Sequence, residues 1–111
     1  MTERQAPTLT VWHEGTPVFT SNGNWLYPLF ELEAYLADHP IQPAKLLLQD
    51  KSIGKAAALM IHRLGFRTVK AGVLSRLGEA VWQRYGIAYT YEHLVDRIGR
   101  SYVLGDGWSC T

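Results

Sequence analysis

The sequence predicts an α/β fold in which helices pack on a mixed β-sheet. Runs of β-branched and aromatic residues alternate with amphipathic helical segments in the order β-β-α-β-α-β-α-β. Two strand–helix–strand segments, 44–73 and 67–91, require parallel crossover connections, which are almost always right-handed. We therefore expect one domain over residues 1–111, with a three-layer α/β/α arrangement or an incomplete version of it.

The chain begins with a predicted β-hairpin. Residues 1–7 are polar and are expected to be flexible. The segments 8–13 and 16–21 are rich in β-branched and aromatic residues, which is typical of strands. Glu14 and Gly15 between them favour a tight turn, so the two strands are expected to pair as an N-terminal hairpin.

A helix, a buried strand and a second helix follow the hairpin. Pro28 is tolerated only in the first turn of the helix at 25–38, so the helix proper begins near residue 27 or 28. The apolar run 44–49 predicts a strand buried on both faces. The apolar segment 52–64 predicts a central helix, which Gly65 ends in the usual C-terminal glycine position.

The second half of the chain repeats this alternation. Residues 67–74 predict a strand, and a serine caps the helix that follows over 75–85. Residues 87–91 predict the last strand. Residues 92–99 are expected to form a short helix or turn, and the tail is expected to be mostly irregular.

Composition excludes several classes of function. The net charge is +1, which gives no strong nucleic-acid signal. No apolar run approaches the roughly 18 residues that a membrane span needs, and the N-terminus does not read as a signal peptide. The single cysteine, Cys110, rules out an internal disulfide, and we expect a cytoplasmic protein.

Charge is unevenly distributed along the chain. Residues 45–76 contain seven lysines and arginines against a single acid, Asp50, whereas the remainder has four basic and nine acidic residues. A basic middle segment suits an anionic ligand. The simpler interpretation is that these cations are solvated at the ends of strands and helices.

The turn that opens the central helix is the predicted binding site. In an open sheet with parallel crossovers, ligands bind beyond the carboxyl ends of the strands. Two helix N-termini, each with unpaired N–H groups, would meet there and attract an anion or a nucleotide-like molecule. The predicted ligand-binding residues are Asp50, Lys51, Gly54, Lys55, Ser75 and Arg76.

Simpler roles are open for each of these residues. Asp50 or Ser52 would serve as an ordinary N-cap of the central helix. The two lysines would point to water, and Gly54 would only let the helix pack tightly on the sheet. The glycine–lysine pair is not a phosphate-binding loop, because no G-x-x-x-x-G precedes it.

Other residue clusters carry weaker signals. The four histidines are scattered, and none has a cysteine or histidine at metal-ligand spacing, so no metal or other cofactor is predicted. Cys110 is expected to be an unreactive surface thiol. Trp82 is expected in the core, whereas Trp25, Tyr27 and Trp108 suit a pocket or a subunit interface. Because aromatic residues are numerous, a homodimer is also expected.

Most of the chain resembles a known family, domain of unknown function 1893, whose fold is cytidine-deaminase-like. The resemblance rests on the string D-K-x-x-G-K-A-A-A at residues 50–58, on residues 69–75, and on shorter matches up to Val95. The match fails at the end of the chain. The family pattern has an asparagine–arginine pair and a cysteine followed by proline, whereas Gly99-Arg100 and Ser109-Cys110-Thr111 stand here.

The resemblance implies a deaminase-like scaffold without deaminase chemistry. Zinc deaminases place H-x-E at one helix start and P-C-x-x-C at the next. The corresponding starts here, residues 50–55 and 74–78, contain no histidine, cysteine or glutamate. A site refitted for an anionic or polar small molecule is therefore expected.

Three functional hypotheses follow. The first is a module that binds an anionic or nucleotide-like small molecule. The second is a metal-independent enzyme in which Lys51 or Lys55 acts as base or nucleophile and Asp50 orients it. The third is an oligomeric protein-interaction subunit, favoured by the many aromatic residues.

Overall fold

A computed structural model describes residues 7–98 as a five-stranded sheet with three α-helices. The strands and helices run in the predicted order. The strands are β1 (Leu9–His13), β2 (Thr16–Ser21), β3 (Leu47–Ile53), β4 (Thr68–Ser75) and β5 (Ala88–Val95). The helices are α1 (Tyr27–Asp38), α2 (Lys55–Leu64) and α3 (Arg76–Tyr85), with a short 3₁₀ helix at Pro43–Lys45.

The sheet is mixed, with strand order β2-β1-β3-β4-β5. β1 pairs antiparallel with both β2 and β3, whereas β3, β4 and β5 are mutually parallel. The parallel neighbours are joined through α2 and α3, as the length of a crossover connection requires. The predicted α/β fold, with its N-terminal hairpin and parallel β-α-β crossovers, is confirmed.

The three helices cover one face of the sheet. α1 contacts α2, and α2 contacts α3, so all three lie on the same side. The described residues therefore form a sheet layer and one helical layer, which is the incomplete version of the expected three-layer arrangement. Within residues 7–98, none of the helices is long and apolar enough to cross a lipid bilayer.

The core lies between the sheet and the helices. Alternate residues of the central strands point into it, among them Leu48 and Val69, which are essentially fully buried. Trp82 of α3 is also fully buried, as predicted, and its ring packs against that of Tyr89. Trp25 and Tyr27, by contrast, are 63% and 58% exposed.

Local turn and cap signals are confirmed where the sequence predicted them. The hairpin turn has Glu14 at φ 54° and Gly15 at φ 84°, a left-handed pair that matches the twist of the two strands. Gly65 (φ 102°) ends α2 in the left-handed conformation that glycine adopts without steric cost. The Ser75 hydroxyl accepts a hydrogen bond from the Gly78 N–H (3.0 Å) and so caps α3.

The boundaries around β3 and α2 differ from the prediction. The strand was expected at 44–49 and the helix at 52–64, but Pro43 starts a 3₁₀ turn and the strand runs from Leu47 to Ile53. Pairing with β1 and β4 on both sides carries the strand past residue 49. Gly54 is the N-cap of α2 and no side chain bonds to it, so the interpretation of Asp50 or Ser52 as the cap is wrong.

The last strand is also longer than predicted. The expected short helix or turn at 92–99 is wrong for its first half, because β5 continues to Val95 through parallel pairing with β4. The pair Val73↔His93 and the pairs after it hold these residues in the ladder. The expectation of a flexible N-terminus and those concerning the tail, including Cys110 and Trp108, lie outside the described residues.

Candidate functional site

The face of the sheet that lacks helices carries a row of polar side chains. Backbone pairing places Thr10, Gln49, Lys70 and Thr90 side by side on β1, β3, β4 and β5. The residues that precede two of them, Leu48 and Val69, point the other way, into the core. The Trp12 Nε1–H donates to Gln49 Oε1 (3.0 Å) and holds that amide in the row between Thr10 and Lys70.

A second row of residues crosses the sheet at Lys51 of β3 and Gly72 of β4. Because Gly72 has no side chain, it leaves a gap in this row. Lys51 extends the pairing of β1 with β3, because its N–H donates to the Thr8 carbonyl (3.0 Å). A Cβ added to Gly72 would lie 2.6 Å from the Lys51 carbonyl oxygen, so the two backbones approach too closely for any side chain there. Glycine is therefore required at this position, and its missing side chain leaves a hollow.

The regular alternation of inward-facing and outward-facing residues is interrupted at Lys51 on β3 and at Gly72 on β4. Leu48 and Ile53 are both buried although five positions separate them, and on β4 the same shift separates Ala71 from Leu74. β3 and β4 are paired on both sides of Lys51 and Gly72 but not at that position itself. The distortion brings residues of both orientations to the surface of the hollow.

These features enclose a groove of about 540 Å³ on the open face. It is open to solvent and spans the four strands β1, β3, β4 and β5. Its lining combines hydroxyl, amide, carboxylate and ammonium groups with a larger share of apolar surface, and it comprises Pro7, Thr8, Thr10, Gln49, Asp50, Lys51, Lys70, Ala71, Gly72, Val73, Thr90, Tyr91 and Glu92. Its volume lies within the range of about 300–1,000 Å³ that is usual for small-molecule sites.

Asp50 is a carboxylate that lies among buried apolar residues, which is unusual for a charged side chain. Strand pairing places it between Leu9 and Ala71, both of which are buried, and its own side chain is largely buried. Burial raises the pKa of Asp50 from 3.8 to about 7, while the backbone N–H groups of Ser52 and Lys51 act in the opposite direction. Near neutral pH this carboxyl group therefore exists in both protonation states.

No ion pair neutralises the charges of the groove within residues 7–98. The single ion pair among these residues joins Arg76 to Asp96 (2.8 Å), at an exposed position beside α3. Lys51, Lys70 and Glu92 each lie more than 4.0 Å from an opposite charge in this part of the chain. Unpaired cations beside a hollow suit an anionic group of a ligand.

The two helix N-termini are adjacent, as the crossover topology predicted, but they pack directly against each other. A Cβ added to Gly78 in the first turn of α3 would lie 3.1 Å from the Gly54 carbonyl oxygen. Ser75 is fully buried, and its hydroxyl is occupied by the cap of α3. The backbone of the protein thus fills much of the space in which the anion was expected.

The six predicted site residues fall into two groups. Asp50 and Lys51 line the groove on the open face. Gly54, Lys55, Ser75 and Arg76 lie at the helix N-termini and do not line it. Lys55 is the first residue of α2 and is exposed, and Arg76 is paired with Asp96.

Sequence reasoning missed Lys70, Gly72 and the threonines of the polar row. Lys70 belongs to the basic segment 45–76, which was the available signal for it. The alternation of Lys70 with Val69 and Ala71 also indicated a strand with one polar face. Which strands lie beside it depends on the sheet order, and the sequence pattern did not determine that order.

No group of three histidine, cysteine, aspartate or glutamate side chains converges in the part of the chain that the structure describes. The groove itself contains two carboxylates, Asp50 and Glu92, and no histidine. These residues offer too few ligands for a transition-metal centre of the usual three or four protein donors.

Comparison with known proteins identifies the family of this chain. A family model described as domain of unknown function (DUF1893), TM1506, matches residues 2–106. The crystal structure of a DUF1893 family protein, TM1506 from Thermotoga maritima, is similar in fold, with a TM-score of 0.71 and 23% sequence identity. The match covers 85% of this chain and 61% of that one, so this chain spans less than two-thirds of its length. No curated protein matches the chain. Because the family model covers nearly all of the sequence, the chain belongs to the DUF1893 family.

Proposed function

We propose that this protein binds a small anionic or nucleotide-like molecule in the groove on the open face of its sheet. The observation that supports the proposal is the groove of about 540 Å³, lined by a largely buried carboxylate and by two lysines without ion-pair partners in the described chain. The principal contacts are Asp50, Lys51 and Lys70. The first two belong to the predicted site, and Lys70 is added by the sheet.

The chemistry of the lining defines what the ligand must offer. The two ammonium groups attract a phosphate or carboxylate group, and lysine binds such groups as a mobile point charge. Asp50 offers either a hydroxyl donor or a carboxylate acceptor near neutral pH, because its pKa is about 7. Thr10 and Thr90 add hydroxyl groups for the uncharged part of the ligand.

The helix N-termini take a supporting role in this proposal. Gly54 and Gly78 let α2 and α3 start in contact, and Ser75 fixes the first turn of α3. These contacts hold the carboxyl ends of β3 and β4 in place. Lys55 remains an exposed charge at the same end of the sheet and adds to its positive potential, whereas the charge of Arg76 is offset by Asp96.

A ligand panel with matched variants tests the proposal. Thermal unfolding of the full chain would be followed with inorganic phosphate, ribonucleoside monophosphates and small dicarboxylates. At least one of these compounds should raise the Tm, and Lys70→Ala should weaken the apparent Kd about tenfold or more. Lys55→Ala is the matched control, because it removes a lysine outside the groove, and it should keep most of the binding.

Two outcomes would contradict the proposal. One is that no compound of the panel raises the Tm of the wild-type chain. The other is that Lys55→Ala abolishes a shift that Lys70→Ala retains, which would return the site to the helix N-termini.

A metal-independent enzyme is the second candidate function. The specific observation in its favour is Asp50, a largely buried carboxyl group whose pKa of about 7 suits proton transfer at neutral pH. In this version Asp50 moves the proton and Lys51 and Lys70 hold the anionic group. Once a bound compound is known, its slow conversion would be followed by NMR; Asp50→Asn should bind the compound but leave it unchanged.

We also propose a cytidine-deaminase-like scaffold without zinc deaminase activity, in a cytoplasmic protein. Adjacent parallel strands β3 and β4 lead into two neighbouring helix N-termini, as the resemblance implied. Those helices start with Gly54-Lys55-Ala56 and Ser75-Arg76-Leu77, which provide no zinc ligand. Incubation of the zinc-supplemented protein with cytidine should give no uridine, and turnover dependent on zinc would contradict this part of the proposal.

A further inference from the structure

The two edges of the sheet differ in how well they are protected from pairing. β2 forms one edge and β5 the other. β2 contains Pro17, and its pairing with β1 shifts register between Val11 and Trp12. Proline and bulges are two of the devices by which natural proteins block edge-to-edge pairing. β5 (Ala88–Val95) contains no proline, and its offset from β4 is the same on both sides of the one unpaired position, Gly72 and Glu92.

The unprotected edge is also rich in residues that favour strands. Tyr89 and Tyr91 stack on each other with ring centroids 6.3 Å apart, and Tyr91 is 42% exposed. Five of the eight residues of β5 are exposed. Among the described residues nothing pairs with its outer side, so its free N–H and C=O groups form a template for another strand.

We propose that β5 pairs antiparallel with β5 of a second copy of this chain, about a two-fold axis at Tyr91. The inference is independent of the proposed ligand. A two-fold axis normal to the sheet keeps each face of the sheet on the same side in both copies. The two sheets then join into one sheet of ten strands.

Side-chain complementarity favours this register over the adjacent one centred on Glu92. With the axis at Tyr91, this side chain lies opposite the partner's Tyr91, and Thr90 lies opposite the partner's Glu92. The two exposed tyrosines meet across the axis, and each carboxylate faces a hydroxyl group. A register centred on Glu92 would instead oppose two like charges, which destabilises strand pairs.

The pairing has a consequence for the groove. Thr90, Tyr91 and Glu92 line its end at the β5 edge, so the grooves of the two copies meet at the two-fold axis. The rows of polar side chains then continue from one copy into the other. A second copy therefore extends this surface rather than covering it.

Sedimentation velocity of the full chain over a wide concentration range tests the proposal. The wild-type chain should dimerise, and Tyr91→Lys should shift the equilibrium at least tenfold toward monomer, because two lysines would meet at the axis. The matched control is Thr20→Lys on the opposite edge strand, which should dimerise like the wild type. Circular dichroism would verify that both variants are folded.

Disulfide trapping tests the register separately. In a Cys110→Ser background, Tyr91→Cys should form a dimeric disulfide rapidly under mild oxidation, because each residue 91 faces its own copy across the axis. Thr90→Cys, which faces the partner's Glu92, should cross-link much more slowly. A monomeric wild-type chain, a dimer insensitive to Tyr91→Lys, or equal trapping of the two cysteines would overturn the proposal.

Discussion

The two faces of the central sheet are built from the same strands but differ in burial and in the polarity of their side chains. On the helix-covered face, Leu48 and Val69 are essentially fully buried and belong to a core cluster that includes side chains of the three helices. On the open face, their chain neighbours Gln49 and Lys70 are exposed and line the groove. Strand residues alternate between the two faces, so a residue that stabilises the core is followed by one that is available for binding.

This contrast indicates that each strand contributes to stability through one face and to the candidate site through the other. The covered face supplies the burial of apolar surface that drives folding. The open face, which burial does not constrain, is free to carry charges and a hollow. Asp50 lies at the point where the alternation shifts and thus belongs partly to both faces.

The strongest test of the contrast compares two adjacent residues. Leu48→Ala removes a fully buried side chain and should lower the free energy of unfolding by about 2–5 kcal/mol. Gln49→Ala, one position further on the open face, should cost less than about 1 kcal/mol. Urea denaturation of both variants gives the difference, and equal losses would show that the open face is also packed.

The second test uses the pH dependence of stability. The folded-state pKa of Asp50, about 7, lies above its ordinary value of 3.8. Between these two pH values the folded chain binds more protons than the unfolded chain. The contribution of Asp50 to the free energy of unfolding is therefore fully present below about pH 4 and is lost as the pH rises to about 7. Above that pH the contribution no longer changes.

Asp50→Asn should flatten the stability profile in that pH window. The wild-type loss across the window is at most about 4 kcal/mol, from roughly 1.4 kcal/mol for each unit of pKa. Glu33→Gln, which removes an exposed carboxylate from α1, is the matched control and should leave the loss in place. Urea denaturation at several pH values measures the slopes, and an unchanged slope in Asp50→Asn would assign the effect to other groups.

The third test addresses the hollow. Gly72→Ala places a Cβ 2.6 Å from a backbone oxygen of β3, so the two strands must separate. We expect a loss of about 1–3 kcal/mol, as for other overpacked positions. Binding of any panel compound should weaken as well, because Lys51 and Gly72 both line the groove and would move apart.

Gly15→Ala is a useful comparison for this variant. It also replaces a glycine, but at a hairpin turn with nothing within 4 Å of the added Cβ. It should lower stability through its positive φ without affecting ligand binding. If both variants weakened binding equally, the hollow at Gly72 would not be the ligand site.

The smallest expected effects concern the start of α3. Ser75→Ala removes a buried cap and should cost about 1 kcal/mol, a typical value for a lost N-cap. Arg76→Ala breaks an exposed ion pair with Asp96 and should cost less than about 0.5 kcal/mol. Thermal unfolding of the two variants measures the ranking, and a larger effect of Arg76→Ala would indicate that its charge does more than pair with Asp96.

Local signals made the elements of this fold predictable. Glu14-Gly15, Gly65 and Ser75 act through their own backbone geometry and hydrogen bonds within a few residues, so their effects can be inferred from the sequence. The ends of β3 and β5 were placed wrongly for the opposite reason. Strand length there depends on partners more than 15 residues away in the chain, such as β1 for Asp50 and β4 for His93.

The candidate site was predictable only in part. Asp50 and Lys51 stood out as charged residues next to an apolar strand. Lys70 and Thr90 looked like ordinary polar positions of separate strands. They form one row only because the sheet places β3, β4 and β5 side by side.

The sequence by itself determined the alternation of strands and helices, the positions of several caps and turns, and the concentration of positive charge between residues 45 and 76. These features depend on side-chain periodicity and on interactions between near neighbours in the chain. Only the tertiary structure decided that Asp50 belongs to a strand, that the helix N-termini touch through Gly54 and Gly78, and that the polar row encloses a groove. The physical reason is that strand pairing brings distant segments of the chain together. Strand order and register then determine which side chains become neighbours.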